Sequence, residues 1–419
     1  MASKSIPKSL HKRASSTLAR IERSRPHIAP IPDRSILEIT GKDAQKFLKG
    51  LTSRDVDKSP GWGYSGFLTP TGRVLYDAFI YPTSAPGDVK QTYLIDYPRI
   101  DDSVSPDSEI PPLTKHLKRY VLRSKLKIRD VTEEYDTWSI LDSPAGAEWN
   151  PEKIWKFGSG GAAEITWNMK GEESLARLRT GDGEIGSWDL RGGWGEGSMG
   201  KRFLVRKGDR PSSSSDHDMA DANAYLLRRM LNGVPEGHQE MIPNTSLPLE
   251  SCMDVMGSVD FRKGCYVGQE LTVRTYHTGN TRKRIMPIRL DPPSGIKSTS
   301  VQRWTDIDQI PEAERPKAGD AIAFVPPSSA ASKKPKPGVK VLSVHPDYAV
   351  GLGLVRMELV ERVHGLPAFG MVPDDSGTEE RGSLVVGNAK IGDDVTASWR
   401  VFAGRGRGWY SPEEELANQ

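Results

Sequence analysis

The run Asp260-Phe261-Arg262-Lys263-Gly264-Cys265-Tyr266-Val267-Gly268-Gln269-Glu270 constrains this chain more than any other stretch. It sets one cysteine between two glycines, with a cation two residues before it and an amide–carboxylate pair after it. That order predicts a tight turn feeding a helix, with the thiol near the helix start. Gly264 permits a close backbone approach or a positive φ. Lys263 and a helix N-terminus would both favour thiolate over thiol. Thiolate is the form that attacks electrophiles or binds soft metals. The bland alternative is a buried cysteine acting as a small hydrophobe, and the polar neighbours argue against it.

At 419 residues the chain is too long for one ordinary core, so two or three domains are expected. Charged residues at 27% and hydrophobic residues at 36% suit a globular protein with sizeable loops. No apolar run is long enough to cross a bilayer. Basic residues outnumber acidic ones by 58 to 55, a net charge of +3. That balance gives no global field for nucleic acid, so no direct nucleic-acid binding is expected. The two cysteines, Cys252 and Cys265, are not a disulfide framework, and a reducing compartment is the simpler reading. Two thiols also cannot hold an iron–sulfur cluster alone, because such clusters usually take four. The histidines lack zinc-site spacing. His277 lies about three helical turns from Cys265, too far for a direct dyad on a straight helix.

Along the chain, residues 1–30 carry Lys4, Lys8, Lys12, Arg13, Arg20, Arg23 and Arg25 against the single acid Glu22, with serines between. That composition predicts a transit peptide, with a disordered basic tail as the alternative. Residues 31–135 read as a first α+β lobe. It has a strand at Ser35–Ile39, a helix over Asp43–Leu51, a hairpin across Thr69-Pro70-Thr71-Gly72, a strand at Tyr93–Tyr97 and a helix from Pro112 to Leu122. Residues 136–285 read as a second α+β lobe with a Gly/Ser-rich insertion, disordered from Pro211 to Asp218, and a helix near Ala222–Leu231. The Cys265 motif follows, and a helix over Val267–His277 with Glu270 and Arg274 placed for an ion pair. Residues 286–410 alternate as short strands, predicting a small barrel or sandwich interrupted by a mobile Pro-rich insertion over Pro311–Pro337. Residues 411–419 are a tail.

Other patterns carry less chemistry. Gly195 to Arg202 nearly matches a phosphate-binding loop, but Arg202 replaces the Ser or Thr that would bind magnesium, and a strand follows in place of a helix. Arg405-Gly406-Arg407-Gly408-Trp409-Tyr410 reads as a solvated tail, and Arg282-Lys283-Arg284 as an exposed basic face. Asp77 stands on an expected strand, where Asp is disfavoured. It is either an outward-facing polar residue or a carboxylate lining a pocket, able to bind an amine or act as a base.

Gly233-Val234-Pro235-Glu236-Gly237, Ile242-Pro243, Leu247-Pro248-Leu249-Glu250 and Lys263 to Glu270 with Arg274 together resemble the signature region of the YgfZ-type family. Looser similarity extends to Gly66-Phe67-Leu68 with Gly72 to Asp77, to Asp189-Leu190-Arg191 with Met199 to Arg202, and to Gly351 to Arg356. The mitochondrial members of that family are iron–sulfur cluster assembly factors, similar in fold to the tetrahydrofolate-binding aminomethyltransferase of glycine cleavage. The resemblance implies an α+β, aminomethyltransferase-like folate-binding fold of three lobes with a C-terminal small β-barrel. It also implies a mitochondrial matrix protein working with A-type iron–sulfur carriers in maturing 4Fe–4S proteins such as aconitase and lipoate synthase. On that reading Cys265 is a ligand of a 2Fe–2S cluster shared with the carrier. Lys263, Gly264, Tyr266, Gly268, Gln269 and Glu270 shape the motif around it. Asp77 and Arg274 are the candidate tetrahydrofolate contacts. The relative's Thr-Gly-Glu block is missing here, and Cys252 has no assigned role. The alternatives are a tetrahydrofolate-dependent aminomethyl or one-carbon transferase and a folate-dependent factor supporting tRNA modification.

Overall fold

A computed structural model describes residues 26–56, 63–85, 87–100, 110–141, 152–158, 162–168, 183–193, 198–212, 215–293, 301–307, 310–327, 340–367, 369, 381–387, 398–406 and 408–410. The first strand, β1 (His27–Pro30), corrects the expected extent of the leader. It pairs with β7 (Tyr135–Leu141), setting Ile28 opposite Ile140, and Ile28 is buried. Apolar alternation therefore begins before residue 31.

Period-two alternation builds the next sheet. β2 (Arg34–Gly41), β3 (Tyr64–Leu68), β4 (Val74–Pro82), β5 (Gln91–Pro98) and β6 (Leu126–Asp130) pair in the order β3-β4-β5-β2-β6. One face offers Leu37, Ile39, Ala78, Ile80, Ile95 and Tyr97. They pack with Phe47 and Leu48 of α1 (Ala44–Lys49) and Leu113 and Leu117 of α2 (Leu113–Val121). Each Leu, Ile or Phe among them contributes about 1.5–3 kcal/mol by leaving water. The other face is unlike it. Asp77, Phe79 and Tyr81 alternate along β4, and Phe79 stands opposite Asp96 of β5. All four are buried.

A second sheet runs β10 (Ile185–Trp188), β11 (Lys201–Arg206), β7, β1 and β12 (Asp218–Met219), around Ile28, Ile140, Phe203 and Val205. The Pro211–Asp218 stretch, expected to be disordered, is pinned where it is described. Ser212 donates its hydroxyl to Glu184 at 2.9 Å, and Asp218 enters β12. Gly195 to Gly197 lie outside the described residues, and Lys201 opens a strand. β8 (Glu152–Phe157) and β9 (Ala163–Asn168) form a hairpin. Tyr410 meets Trp155 and Phe157 edge-on at 5.5 and 4.8 Å. Trp409 and Tyr410 are buried, not a solvated tail, because three aromatic rings gain more from one another than from water.

These elements belong to one compact unit, residues 25–225, 234–281 and 408–419. The sequence boundary drawn at residue 135 falls inside it, and the one drawn at 285 lies close to its edge at Thr281. The described residues of the other unit come from 226–233 and 282–407. α3 (Ala222–Asn232) carries the chain into that unit. Its six strands are β13 (Lys283–Asp291), β14 (Ile322–Val325), β15 (Lys340–Val344), β16 (Val350–Arg356), β17 (Ser383–Val386) and β18 (Trp399–Ala403), ordered β14-β17-β18-β13-β16-β15. The sheet curls into a half-barrel until its edges meet at Ala321 and Lys340, where Val341 N–H donates to Asp320 O at 2.9 Å. β14 lies within the insertion expected to be mobile. Arg284, expected on an exposed face, is fully buried on β13. Among the described residues no helix is long and apolar enough to cross a membrane.

Candidate functional site

Two places in the larger unit gather chemistry. The first is the polar face of the β3-β4-β5-β2-β6 sheet. Arg34 of β2 donates Nε to Asp96 Oδ1 at 2.5 Å and Nη2 to Asp96 O at 3.0 Å. Arg202 of β11 reaches across from the second sheet and donates Nε to Asp96 Oδ2 at 2.6 Å. Arg191 binds Asp189 through Nε at 2.8 Å and Nη2 at 2.6 Å. Glu236 Oε2 collects Arg191 Nη1 at 2.7 Å, the Tyr225 hydroxyl at 2.7 Å and Arg202 Nη1 at 3.4 Å. Tyr225 in turn accepts from Arg191 and Arg202, each at 2.9 Å. Arg191 and Arg202 also cover the Phe79 ring at 4.7 and 4.6 Å. Flat, forked guanidiniums suit such stacked, bidentate roles, and ammonium groups do not.

Asp77 lies at the edge of this network and is 1% exposed. Its Oδ1 accepts the Gly237 N–H at 3.1 Å. Arg34 Nη1 is 3.9 Å from Oδ2, and among the described residues no donor hydrogen-bonds that oxygen. Burial raises the Asp77 pKa above the usual carboxylate value, opposed by Arg34 and reinforced by Glu236. Three guanidiniums here face four carboxylates, so a proton on Asp77 balances the cluster. The Tyr64 and Tyr81 hydroxyls and Arg202 Nη2 are likewise buried without a partner among the described residues. Burial holds both phenols well above their ordinary pKa, so they remain proton donors.

Asp77 is therefore buried in the charged network and does not face outward. The sequence reading missed Arg34, Asp96, Tyr225 and Glu236 as members. Asp96 carried the same signal as Asp77, an acid inside an apolar strand. Arg202, a misfit in the phosphate-loop pattern and part of the looser family resemblance, is a central member. Arg274 is exposed on α4 (Gln269–Thr278) and makes no hydrogen bond or ion pair with Asp77.

The second place is the Cys265 turn. Cys265 is an exposed free thiol, while Cys252 is wholly buried. Lys263 turns its ammonium inward. Its ammonium donates to Lys49 O at 2.7 Å, Thr52 O at 2.6 Å and Arg54 O at 3.1 Å, and sits 4.8 Å over the Tyr266 ring. An ammonium has three donors, and carbonyls at the end of α1 occupy all three. Val267 N–H adds a bond to Gly50 O at 3.0 Å, and Asp260 N–H one to Ser53 O at 3.0 Å. Gln269 closes the turn, its Oε1 accepting the Tyr266 N–H at 3.3 Å. Tyr266 is buried beneath, its hydroxyl without a partner among the described residues. Glu270 is exposed and forms no ion pair with Arg274, contrary to the helical-spacing expectation.

The two glycines differ. Gly268 caps α4 at φ +80°, and a Cβ there would overlap Thr69 O in the β3–β4 turn. Gly264 takes no positive φ, and a Cβ there would meet nothing within 4 Å. The close approach and positive φ expected of Gly264 are found, within this chain, at Gly268 instead. Behind the turn, Phe261 stacks on Tyr276 at 4.0 Å and Arg262 pairs with Glu164 at 3.1 Å, tying loop and helix to β9.

No protein-family profile matches the chain. A protein of Cryptococcus neoformans var. neoformans named iron–sulfur cluster assembly factor IBA57 homolog, mitochondrial, is 47% identical over 337 residues, 80% of this chain and 85% of that protein. Proteins of the same name from Neurospora crassa and Mycosarcoma maydis are 33% and 32% identical, each across 83% of this chain and 73% and 78% of their own lengths. Among solved structures, the glycine cleavage system aminomethyltransferase T of Bartonella henselae superposes with a TM-score of 0.55 at 10% identity, across 96% of this chain and 91% of that one. That likeness establishes the aminomethyltransferase-like fold.

Proposed function

We propose that this chain, which belongs to the IBA57 family of mitochondrial iron–sulfur cluster assembly factors, presents Cys265 as one ligand of a 2Fe–2S cluster shared with an A-type carrier protein. In that role it serves the maturation of 4Fe–4S proteins such as aconitase and lipoate synthase in the mitochondrial matrix. The observation that carries the reading is the pairing of an exposed thiol with a turn that this chain holds rigid from behind. Gly264 supports it. The chain's own packing does not require a glycine there, so the open space is available to an approaching partner. Among the described residues no group of three or more His, Cys, Asp or Glu side chains could hold a metal ion. A cluster needs further ligands, and the carrier is their source. The cluster is cargo, passed on with the partner. Mixing chain and carrier anaerobically, then measuring visible absorbance, iron content and complex mass, tests this. A Cys265→Ser chain that keeps the wild-type cluster absorbance in the complex would show the ligand assignment to be wrong.

A second reading, tetrahydrofolate binding at Asp77, rests on the orphaned Oδ2. The donor set fits a reduced pterin. A pterin carries both N–H donors and ring acceptors, and Asp77 Oδ2 accepts when ionised and donates when protonated, with the Tyr64 phenol near enough to feel its charge. Bound tetrahydrofolate would supply one-carbon carrier chemistry, while this chain's part is to orient the ring and hold a proton at Asp77. Equilibrium binding of tetrahydrofolate followed by tryptophan fluorescence should weaken in Asp77→Asn. Equal affinity in the variant removes the assignment.

A further inference from the structure

Between Leu113 and Arg129 there are seven basic residues and no acidic one. Of the chain's 58 basic residues that leaves 51 against 55 acidic ones elsewhere, so this stretch, like residues 1–30, is a local excess of positive charge. Lys115, Lys118 and Arg119 stand on one face of α2, at i, i+3 and i+4. Arg123, Lys125 and Lys127 continue the run through the turn into β6. All six are exposed, and none makes an ion pair among the described residues. Only Arg129, at the far end, is paired, with Glu38 and Glu134. Leu122, in the middle of the run, is 88% exposed at φ +43°.

This surface leads to the Cys265 turn. Lys125 N–H donates to Asp43 Oδ2 at 2.6 Å, which sets the start of β6 against the start of α1. Lys42 lies in the turn just before α1, and Lys46 and Lys49 stand on α1 three apart. Lys42 and Lys46 are exposed and unpaired among the described residues, while Lys49 reaches Asp55 at 3.3 Å. At the other end of α1, Lys49 O and Gly50 O hold Lys263 and Val267. A cationic track thus runs from α2 along α1 to the segment that carries the thiol.

We propose that this track docks an acidic face of the protein that supplies the remaining ligands at Cys265, with Leu122 as an apolar anchor among the cations at the end of α2. The proposal rests on the shared-ligand reading above. An unpaired row of like charge raises the encounter rate with a complementary surface and fixes its register. It does little for this chain's own stability, since exposed charges contribute little there.

The test is the association rate constant of the full-length chain with the cluster-free A-type carrier at low and high salt. Lys46→Glu, Lys125→Glu and Lys127→Glu combined should slow association about ten-fold or more at low salt. The gap should close as salt rises. Glutamine at the same three positions should give a smaller loss. Equal low-salt rates for the Glu variant and the parent overturn the docking surface and leave the ligand assignment standing. A Cys265→Ser chain that associates with parental salt dependence but holds no cluster supports both. Vesicles of phosphatidylcholine and phosphatidylglycerol form a third arm. Charge-dependent capture by these vesicles, with no measurable association with the carrier, overturns the protein partner in favour of a lipid surface.

Discussion

Asp77 is 1% exposed and shares its surroundings with three guanidinium groups, whereas Cys265 stands in solvent on a turn whose cation is turned inward to backbone carbonyls. Both sites belong to the same unit and both are held firmly. The network is held by charge satisfied with charge, so its chemistry is internal, and only a few buried polar atoms in it lack a partner among the described residues. The turn is held by main-chain hydrogen bonds and close glycine packing, so nothing in it is spent on the thiol. A group meant for a ligand enclosed by this chain needs the first kind of support, and a group meant for another protein needs the second. The contrast can be broken from either side.

The largest effect is expected at Arg202. Removing its guanidinium in Arg202→Ala leaves Asp96 with Arg34 alone as its side-chain partner and takes one of several partners each from Glu236 and Tyr225. An uncompensated buried charge costs about 3–5 kcal/mol, to be read from the urea unfolding midpoint. A loss below about 1 kcal/mol would mean that the network is not what holds the two sheets in register. Next is Gly268→Ala. A residue with a Cβ is strained at φ +80°, and that atom runs into the Thr69 carbonyl. Strain and displacement together predict a loss of about 2–3 kcal/mol, seen as a lowered melting temperature. A neutral result would mean that the turn is softer than its hydrogen bonds suggest.

The sequence made the Cys265 turn and its helix legible because their signals are local. The Gly268 cap, the helix start at Gln269 and the Thr69–Gly72 hairpin all follow from residues within a few positions of one another. The Asp77 network was mostly illegible because its members are far apart in the chain. Arg34 meets Asp96 across 62 positions, and Arg202 meets it across 106. Only the misplaced acids on β4 and β5 betrayed it locally. The bonds of Lys263 were illegible for a related reason. Proximity in sequence suggested an effect on the thiol, but the carbonyls that claim its ammonium come from residues more than 200 positions earlier.

A smaller effect, visible only against pH, is expected at Asp77. Its pKa is raised from the usual 3.8 by burial, so the folded chain keeps this proton at pH values where the unfolded chain releases it. The resulting stabilisation is complete below the unfolded value. It is lost as pH rises from 3.8 to the raised value, with a slope of up to about 1.4 kcal/mol per pH unit. Asp77→Asn should abolish that falling segment, as measured by urea unfolding from about pH 4 to about pH 8. Parallel profiles for variant and parent would show that Arg34 keeps the carboxylate ionised.

The smallest effect on stability, and the sharpest test of the contrast, is Gly264→Ala beside Cys265→Ser. The first adds a methyl group where nothing lies within 4 Å and φ is not positive. The second exchanges one exposed atom. Both should leave the urea midpoint within about 0.5 kcal/mol of the parent. If the open space at Gly264 exists for a partner, the two variants should part company in the complex. Cys265→Ser should lose the cluster whatever its fit, whereas Gly264→Ala should retain the thiol and still lower the yield of cluster-bridged complex, because its methyl occupies room the partner needs. Full yield from Gly264→Ala would place the partner's approach on another side of Cys265. A large drop in its urea midpoint would mean instead that this glycine, like Gly268, serves the fold.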